Sequence, residues 1–275
     1  MSVAKKYQVG IGDKVDLSTW KTDDAEGVER AVVEAKTEEN AMIIADLQHK
    51  LYAQHERSVL FVLQAMDAAG KDSTIRRVFG RVNPQGVQVK SFKRPTEDEL
   101  AHDFLWRVHL HTPRRGHIAL FNRSHYEDVL VARVDNLVPE ARWQKRYESI
   151  NGFEQALING GTEIVKIYLH LSKDRQREKL EERLTDPTKN WKFEAGDLET
   201  RQKWDAYMHA YEDAISQCNA EHAQWHIVPT DRKWYRVWVV SEIVRATLEE
   251  IGPRFPEPKL DPMAAMKLLE QMNGG

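Results

Sequence analysis

The 275-residue sequence has a single cysteine, Cys218, which leaves no partner in the chain for a disulfide or a cysteine-based zinc cluster. It also lacks any uninterrupted apolar run near the roughly 18 residues that a membrane-spanning helix needs. Its first 20 residues lack the apolar segment of a secretory signal. We therefore expect a protein of the reducing cytoplasm with no membrane partner.

An excess of charge of either sign is missing as well, because the formal net charge is −3 although 30% of the residues are charged. A chain with this balance has no overall attraction for nucleic acid, so we predict no nucleic-acid partner. Any polyanion site must be a local concentration of Lys and Arg. The length predicts one domain, 1–275, with an N-terminal arm at 1–27 on its surface or on a neighbouring subunit, and a C-terminal tail at 253–275.

Short apolar runs that alternate with helical patterns predict the fold class. The run at 58–64, SVLFVLQ, is continuously apolar, as in a strand buried on both faces of a parallel sheet. Similar runs lie at 86–92, 117–121, 162–171 and 224–228. Helical patterns lie at 28–55, with a break near Thr37, and at 97–109, 123–134, 200–219 and 263–272. This alternation predicts an α/β fold with a parallel sheet between helices.

The segment that follows the first predicted strand has the pattern of a phosphate-binding loop, QAMDAAGKDST at 64–74. A strand, a Gly-Lys loop and a helix supply backbone N–H groups, a helix dipole and a lysine for a phosphate. Ser73 or Thr74 would orient magnesium or a phosphate oxygen. Ala65 replaces the first glycine of the standard loop and Asp72 its Ser or Thr, so an ordinary strand-to-helix turn stays open. The predicted phosphate-binding residues here are Ala69, Gly70, Lys71, Asp72, Ser73 and Thr74.

Polar residues near two strand ends predict a metal and catalytic site. Asp67 lies inside the loop, where a carboxylate repels phosphate unless it binds a metal or takes a proton; the alternative is an Asp that caps the turn. In HIALFNRSHYED at 117–128, Asn122, Arg123 and Glu127 follow a strand, at the edge where open parallel sheets bind ligands. Arg123 suits a phosphate, and Glu127 would join Asp67 around Mg²⁺, with Mn²⁺ as the alternative ion. Helix capping and solvated charges are the other interpretation.

Cations outside the loop predict a local positive channel. They cluster after the second strand and in the charged segment 172–199, which Asp186-Pro187 and Gly196 interrupt. A solvated charged face with Glu partners is the alternative. The paired His109 and His111 lack further ligands for a metal site. The cations assigned to phosphate or polyphosphate binding are Lys90, Lys93, Arg94, Arg175 and Arg183.

Four stretches resemble polyphosphate kinase family 2, and within it class III, which acts on nucleoside mono- and diphosphates. They cover most of residues 57–248. The resemblance implies a three-layer α/β/α, P-loop kinase-like fold with a mobile helical lid at about 172–199, Mg²⁺, and polyphosphate as the donor. The stretches are QAMDAAGKDSTIRRVFGRVNPQGVQVKSFKRPT, HIALFNRSHYEDVLVARV, SKDRQREKLEERLTDPTKNWKF with DLETRQKWDAYMHAYEDAI, and DRKWYRVWVVSEIV.

The resemblance also implies roles for individual residues. Asp67 and Lys71 correspond to the family's loop acid and loop lysine, Arg123 to the arginine of its Walker-B region, and Glu127 to the acidic residue that follows. Arg175 matches a lid arginine that closes on the phosphates. Many relatives have Asp where this chain has Asn122. This departure looks like the subgroup that accepts AMP and ADP, and it implies a positioning role for Asn122.

The function implied is reversible transfer of phosphoryl groups from inorganic polyphosphate to AMP and ADP, forming ADP and ATP. Adenine nucleotides are the expected partners, guanine nucleotides are further candidates, and a homo-oligomer is expected. Asp67, Lys71, Asn122 and Arg123 are the predicted catalytic residues. Two alternatives stay open: an ATP-dependent nucleotide or small-molecule kinase, and a non-catalytic module that binds nucleotides or polyanions.

Overall fold

A single sheet of five parallel strands forms the centre of the computed structural model, which describes residues 2–272. Its order is β2-β3-β1-β4-β5, so the first strand in sequence is the middle strand in space. All seven residues of β1 are buried, as its apolar run predicts. The predicted α/β class is confirmed. The strands are β1 Ser58–Gln64, β2 Val87–Ser91, β3 Ile118–Asn122, β4 Thr162–His170 and β5 Trp225–Pro229.

The helices of the described residues vary from one turn to seven turns in length. Within residues 2–272 none combines the length and apolar character needed to cross a bilayer. Short 3₁₀ helices lie at Leu17–Thr19, Pro84–Gly86, His125–Asp128 and Asn190–Lys192. The α-helices are α1 Val3–Lys6, α2 Arg30–Gln54, α3 Lys71–Val78, α4 Glu97–Ala101, α5 Trp106–His109, α6 Val131–Val134, α7 Glu140–Asn159, α8 Lys173–Thr185, α9 Ala195–Gln202, α10 Trp204–Gln217, α11 Lys233–Ile251 and α12 Pro262–Met272.

Helices cover both faces of the sheet and bury a separate apolar core on each. Val59, Phe61 and Leu63 of β1 face the core made with α2, α3 and α11. Leu60 and Val62 face the core made with α7 and α10. Because side chains alternate along a strand, one apolar strand supplies both cores. The three-layer α/β/α arrangement is therefore confirmed.

The N-terminal arm packs on its own domain and extends the sheet beside β5. The backbone N–H of Val9 donates to Trp225 O at 2.8 Å, and the N–H of Ile227 donates to Tyr7 O at 2.8 Å. Tyr7 and Val9 are buried, with 4% and 1% of their surface exposed. The arm thus belongs to the core rather than only covering its surface.

The predicted helix at 123–134 is wrong. Arg123 has φ 60°, in the left-handed region, and Ser124 is extended, so neither continues a helix. The Ser124 hydroxyl accepts from the N–H of Tyr126 at 3.2 Å and begins the short 3₁₀ helix instead. Only α6 remains helical at the end of the predicted range.

Three further helix predictions need correction. The pattern at 97–109 forms two short helices, α4 and α5, because Asp103 accepts from the N–H of Leu105 at 2.9 Å and turns the chain between them. The break expected near Thr37 does not occur. The Thr37 hydroxyl donates to Val33 O at 2.8 Å, one turn earlier, so α2 accommodates it. The pattern at 200–219 is divided at Lys203 into α9 and α10.

The charged segment 172–199 folds into helices on the same side as the carboxyl ends of the strands. The Ser172 hydroxyl caps α8 by accepting from the N–H of Arg175 at 3.1 Å. The helix ends at Thr185, with Asp186 as its cap residue before Pro187, as the sequence indicates. The segment then returns through a 3₁₀ turn into α9.

Candidate active site

The loop between β1 and α3 presents unpaired backbone donors at the start of a helix. Ala68 and Gly70 adopt positive φ angles of 66° and 94°. The first loop–helix backbone bond runs from the N–H of Thr74 to Gly70 O at 3.0 Å. The N–H groups of residues 70–73 donate to no protein acceptor within the described chain. Free N–H groups at the positive end of a helix dipole form an anion site.

Lys71 lies against the backbone of this loop. Its Nζ donates to Ala65 O at 2.9 Å. Burial lowers the pKa of Lys71, and the nearby Arg123 cation lowers it further, although Asp67 and Glu127 act in the opposite direction. The nearby carboxylates therefore do not fully balance the positive charge of the Lys71 ammonium group in the protein alone. A bound phosphate would supply the missing negative charge.

Asp67 and Arg123 form an ion pair across the mouth of the loop. Arg123 Nη2 donates to Asp67 Oδ1 at 2.6 Å. Burial alone would lower the pKa of Arg123, but the carboxylates of Glu127 and Asp67 outweigh it and raise that pKa. Arg123 is 41% exposed, so its guanidinium stays accessible to a ligand. The geometry brings the loop acid and the strand-end arginine together.

Glu127 adds a second carboxylate from the 3₁₀ helix after β3. Burial raises its pKa; Arg123 and Lys71 lower it, and Asp67 raises it. Gln64 at the end of β1 also interacts with Glu127, and its buried Oε1 has no hydrogen-bond partner within residues 2–272. Carboxylate and amide oxygens are the donors that hard divalent cations prefer, so these residues fit such an ion.

No cluster of three or more His, Cys, Asp or Glu suited to a metal occurs in the part of the chain described. Magnesium in phosphotransfer sites takes one or two carboxylates and completes its shell with phosphate oxygens and water. The pair Asp67 and Glu127 matches that pattern. It does not match a site closed by protein ligands alone.

Asn122 holds the loop from the end of β3. Its Nδ2 donates to Asp72 Oδ1 at 2.5 Å, and its backbone lies beside Leu63 of β1. Asp72 therefore directs its carboxylate at an amide, and only its backbone N–H is available to a phosphate. The hydroxyls of Ser73 and Thr74 both donate to Gly70 O, at 2.9 and 3.0 Å. The Ser73 oxygen also accepts from Arg236 of α11, at 2.8 Å.

The predicted cations of the second strand lie on β2 and just beyond its carboxyl end. Lys90 projects from β2 over the ring of Phe92, 5.6 Å from its centroid. Lys93 and Arg94 are exposed just beyond β2, at the same carboxyl edge as Asn122. None of these three cations bonds to the loop among residues 2–272.

The two cations predicted on the charged segment are engaged within it. Arg175 pairs with Glu178, and Arg183 donates to Asp197 at 2.9 Å. The structure thus gathers Asp67, Lys71, Asn122, Arg123 and Glu127 around the loop. The other predicted cations make no hydrogen bond to the loop within residues 2–272, and their role in phosphate binding stays a prediction: Lys90, Lys93, Arg94, Arg175 and Arg183.

Comparison with known proteins decides the family. The family described as Polyphosphate kinase 2 (PPK2) matches residues 27–255. The chain belongs to the polyphosphate kinase 2 family. The resemblance predicted from the four stretches is confirmed.

Two relatives and one solved structure within this family are similar over nearly the whole chain. An AMP/ADP-polyphosphate phosphotransferase of Meiothermus ruber is 52% identical over 258 residues, 93% of this chain and 96% of the relative. An ADP-polyphosphate phosphotransferase of Rhodopseudomonas palustris is 44% identical, covering 92% of each chain. The crystal structure of polyphosphate kinase 2 from Arthrobacter aurescens TC1 matches with a TM-score of 0.94 at 38% identity, covering 98% of this chain and 97% of that one. The P-loop kinase-like fold is confirmed.

Two residues that touch the loop were missed by the sequence analysis of this polyphosphate kinase 2 chain. Gln176 of α8 is fully buried and donates to Asp67 O at 3.2 Å. Arg236 of α11 donates to Ala69 O at 2.6 Å. Gln176 lies in a run of charged residues and gives no signal. Arg236 gives one, because it is the charged member of an otherwise apolar run, WYRVWVV at 234–240.

Proposed function

We propose that this chain transfers phosphoryl groups reversibly between inorganic polyphosphate and AMP or ADP, as the class III subgroup does. The observation that carries the proposal is the set of free N–H groups at residues 70–73, flanked by Lys71 and the Arg123–Asp67 pair. The relative at 52% identity is named as acting on both AMP and ADP, which supports both acceptors.

In the forward reaction, an oxygen of the nucleotide's terminal phosphate attacks the terminal phosphorus of polyphosphate. The bond between that phosphorus and the remaining chain breaks, and polyphosphate leaves one unit shorter. A phosphate monoester has its second pKa near 6, so the attacking oxygen is already ionised at neutral pH. No general base is needed, which agrees with an amide at Asn122.

The remaining requirement is alignment and neutralisation of the moving charge. The N–H groups of residues 70–73 and the ammonium of Lys71 bind the transferred group. Arg123 lies at the mouth of the loop, where it pairs with Asp67. Asn122 acts by position, since it holds Asp72 at the start of α3.

Kinases of this family need a divalent metal ion. We assign it to Mg²⁺, with Mn²⁺ as the alternative, and to the carboxylates of Asp67 and Glu127. When bound, the ion would neutralise phosphate oxygens of donor and acceptor. The proximity of Asp67 raises the pKa of Glu127, after burial, and a cation between them would remove that repulsion.

We assign residues 172–199 as the lid. Gln176 already contacts the loop through Asp67 O. Arg175 lies one residue away, paired with the exposed Glu178, and a change of rotamer would exchange that partner for a phosphate. Closure would exclude water, which matters because hydrolysis competes with transfer.

The test is to incubate the purified chain with long-chain polyphosphate, Mg²⁺ and either AMP or ADP. ATP formation is compared with a control without polyphosphate. ATP from ADP, with ADP and ATP from AMP, is expected. ATP from ADP alone would remove AMP as an acceptor. No transfer from polyphosphate, with consumption of ATP on other acceptors, would overturn the proposal in favour of an ATP-dependent kinase; binding without any turnover would favour a non-catalytic module.

Three finer proposals concern the acceptor base, self-association and the cellular compartment. Guanine nucleotides are further acceptors, tested with GMP and GDP in the same assay. Self-association is tested by sedimentation at several protein concentrations. The cytoplasm is the proposed compartment, because the acceptors are intracellular nucleotides, and cell fractionation tests it.

A further inference from the structure

A buried arginine that has no acidic partner among residues 2–272 lies beneath the phosphate-binding loop. Arg236, in the first turn of α11, is 5% exposed. Burial lowers its pKa to about 10, and no carboxylate offsets that effect. Its Nε is buried with no hydrogen-bond partner in residues 2–272. A charge buried in this way destabilises the fold unless another charge or hydrogen bonds compensate it.

The two contacts of Arg236 are both with the loop. Nη1 donates to Ala69 O at 2.6 Å, and Nη2 donates to the Ser73 hydroxyl at 2.8 Å. In an uninterrupted helix, Ala69 O would accept from the N–H of Ser73, but that bond is absent from the described chain. Arg236 therefore bonds to the carbonyl of Ala69 in place of the Ser73 N–H, and that N–H stays free.

The same contact orients the next peptide unit. In a trans peptide the C=O and the N–H point in opposite directions. Because Ala69 O points at Arg236, the N–H of Gly70 points away from it. This is the N–H that opens the set of free donors at residues 70–73.

Gly70 makes room for the arginine. A Cβ at this position would lie 2.6 Å from Nη1 and 2.8 Å from Cζ of Arg236. Gly70 also has φ 94°, which glycine alone adopts without strain. Loop and arginine are thus fitted to each other.

We propose that Arg236 is a positioning residue that holds the loop in its anion-binding form, its charge being matched by the bound phosphates. The inference rests on the proposed function, since it assumes that the loop binds phosphate. Arg236 itself touches no reacting atom. It acts through the carbonyl of Ala69 and the hydroxyl of Ser73.

The test uses two variants of the full chain. Arg236→Met keeps the length of the side chain and removes its charge. Arg236→Lys keeps the charge and removes the planar guanidinium group that makes two hydrogen bonds. Arg245→Met is the matched control, because Arg245 lies on the same helix and bonds Asn40 and Glu249. Binding of sodium tripolyphosphate is measured by calorimetry, together with melting temperature, kcat and KM for polyphosphate.

We expect Arg236→Met to weaken tripolyphosphate binding at least tenfold and to raise KM, with an unchanged or higher melting temperature. Removal of Arg236 relieves the desolvation cost of an uncompensated buried charge. A loss of affinity without a loss of stability therefore separates positioning from a structural role. Arg236→Lys should recover part of the affinity. Arg245→Met should bind as the wild type does.

Binding by Arg236→Met within twofold of the wild type would overturn the inference, and so would an equal loss in Arg245→Met. If Arg236→Met does not fold, Arg236→Lys provides the test. Wild-type affinity in the lysine variant would overturn the inference, because lysine cannot make both guanidinium contacts. A loss of affinity of at least threefold in a stable lysine variant would support it. A wild type that binds no tripolyphosphate also refutes it. A wild type that binds tripolyphosphate and transfers nothing overturns the proposed function alone.

Discussion

Replacement of Arg123 by glycine should abolish most activity and leave stability almost unchanged. Arg123 has φ 60°, a conformation that costs a non-glycine residue about 1–2 kcal/mol. Glycine removes that strain. Against this, the partly exposed ion pair with Asp67, worth about 0.2–1 kcal/mol, is lost. Glycine also adds about 0.4–1 kcal/mol of freedom to the unfolded chain.

These contributions oppose one another, so the free energy of unfolding should change by less than about 1 kcal/mol, which is about 2–4 °C in melting temperature for a chain of this size. Turnover should fall about 10²- to 10⁵-fold, as when other arginines that stabilise phosphoryl transfer are removed. That range corresponds to about 3–7 kcal/mol of transition-state stabilisation. The two effects therefore differ clearly in size.

The assay combines ATP formation from ADP and polyphosphate with a thermal melt, for Arg123→Gly and for Arg133→Ala. Arg133 lies on α6 and pairs with Asp213 at 2.6 Å, so its replacement should keep turnover near the wild-type value. Turnover of Arg123→Gly within threefold of the wild type would remove Arg123 from the mechanism. A drop of more than about 5 °C in melting temperature would show instead that the strain argument is wrong.

Three further predictions concern the same site. Lys71→Ala should lower turnover about 10²- to 10⁵-fold with an intact fold, and unchanged turnover would exclude the lysine. Asp67→Asn should raise the Mg²⁺ concentration needed for half-maximal activity at least tenfold, given one lost carboxylate ligand; a normal magnesium titration counts against that role. Because burial raises the pKa of Glu127, its carboxylate destabilises the folded state at neutral pH. Glu127→Gln without metal should therefore melt at a higher temperature at pH 7, and the gain should vanish below about pH 4.3, where the carboxyl is protonated folded and unfolded; a difference that grows toward low pH would contradict this.

The strands were predictable because burial on both faces leaves a continuous apolar run. The bounds of β1 agree with those of its run, and the other strands agree within one or two residues. Helices with a long apolar face packed on the sheet, such as α2 and α10, were also predictable. The short connections were not, because one local bond decides each of them, such as Ser124 with the Tyr126 N–H.

The candidate site was predictable where one segment carries it, as with Asp67 and Lys71. Its completion depends on contacts between distant segments. Arg236 and Ser73 are 163 positions apart, and Gln176 and Asp67 are 109 apart, so periodicity and motif spacing contain no information about either contact. Arg175 and Arg183 pair with Glu178 and Asp197 in this structure, and their assignment to phosphate binding stays a prediction.

The pairing of the arm with β5 has a consequence for how the chain folds and stays dispersed. The Val9 N–H and the Tyr7 carbonyl find their backbone partners at Trp225 and Ile227, more than 200 residues later. Closure of this edge is therefore one of the most non-local steps available to the chain, and such steps are slow. Until it occurs, β5 presents open N–H and C=O groups, which is how sheets recruit foreign strands. Residues 7–9 thus cover this edge of β5 and protect it from pairing with other chains.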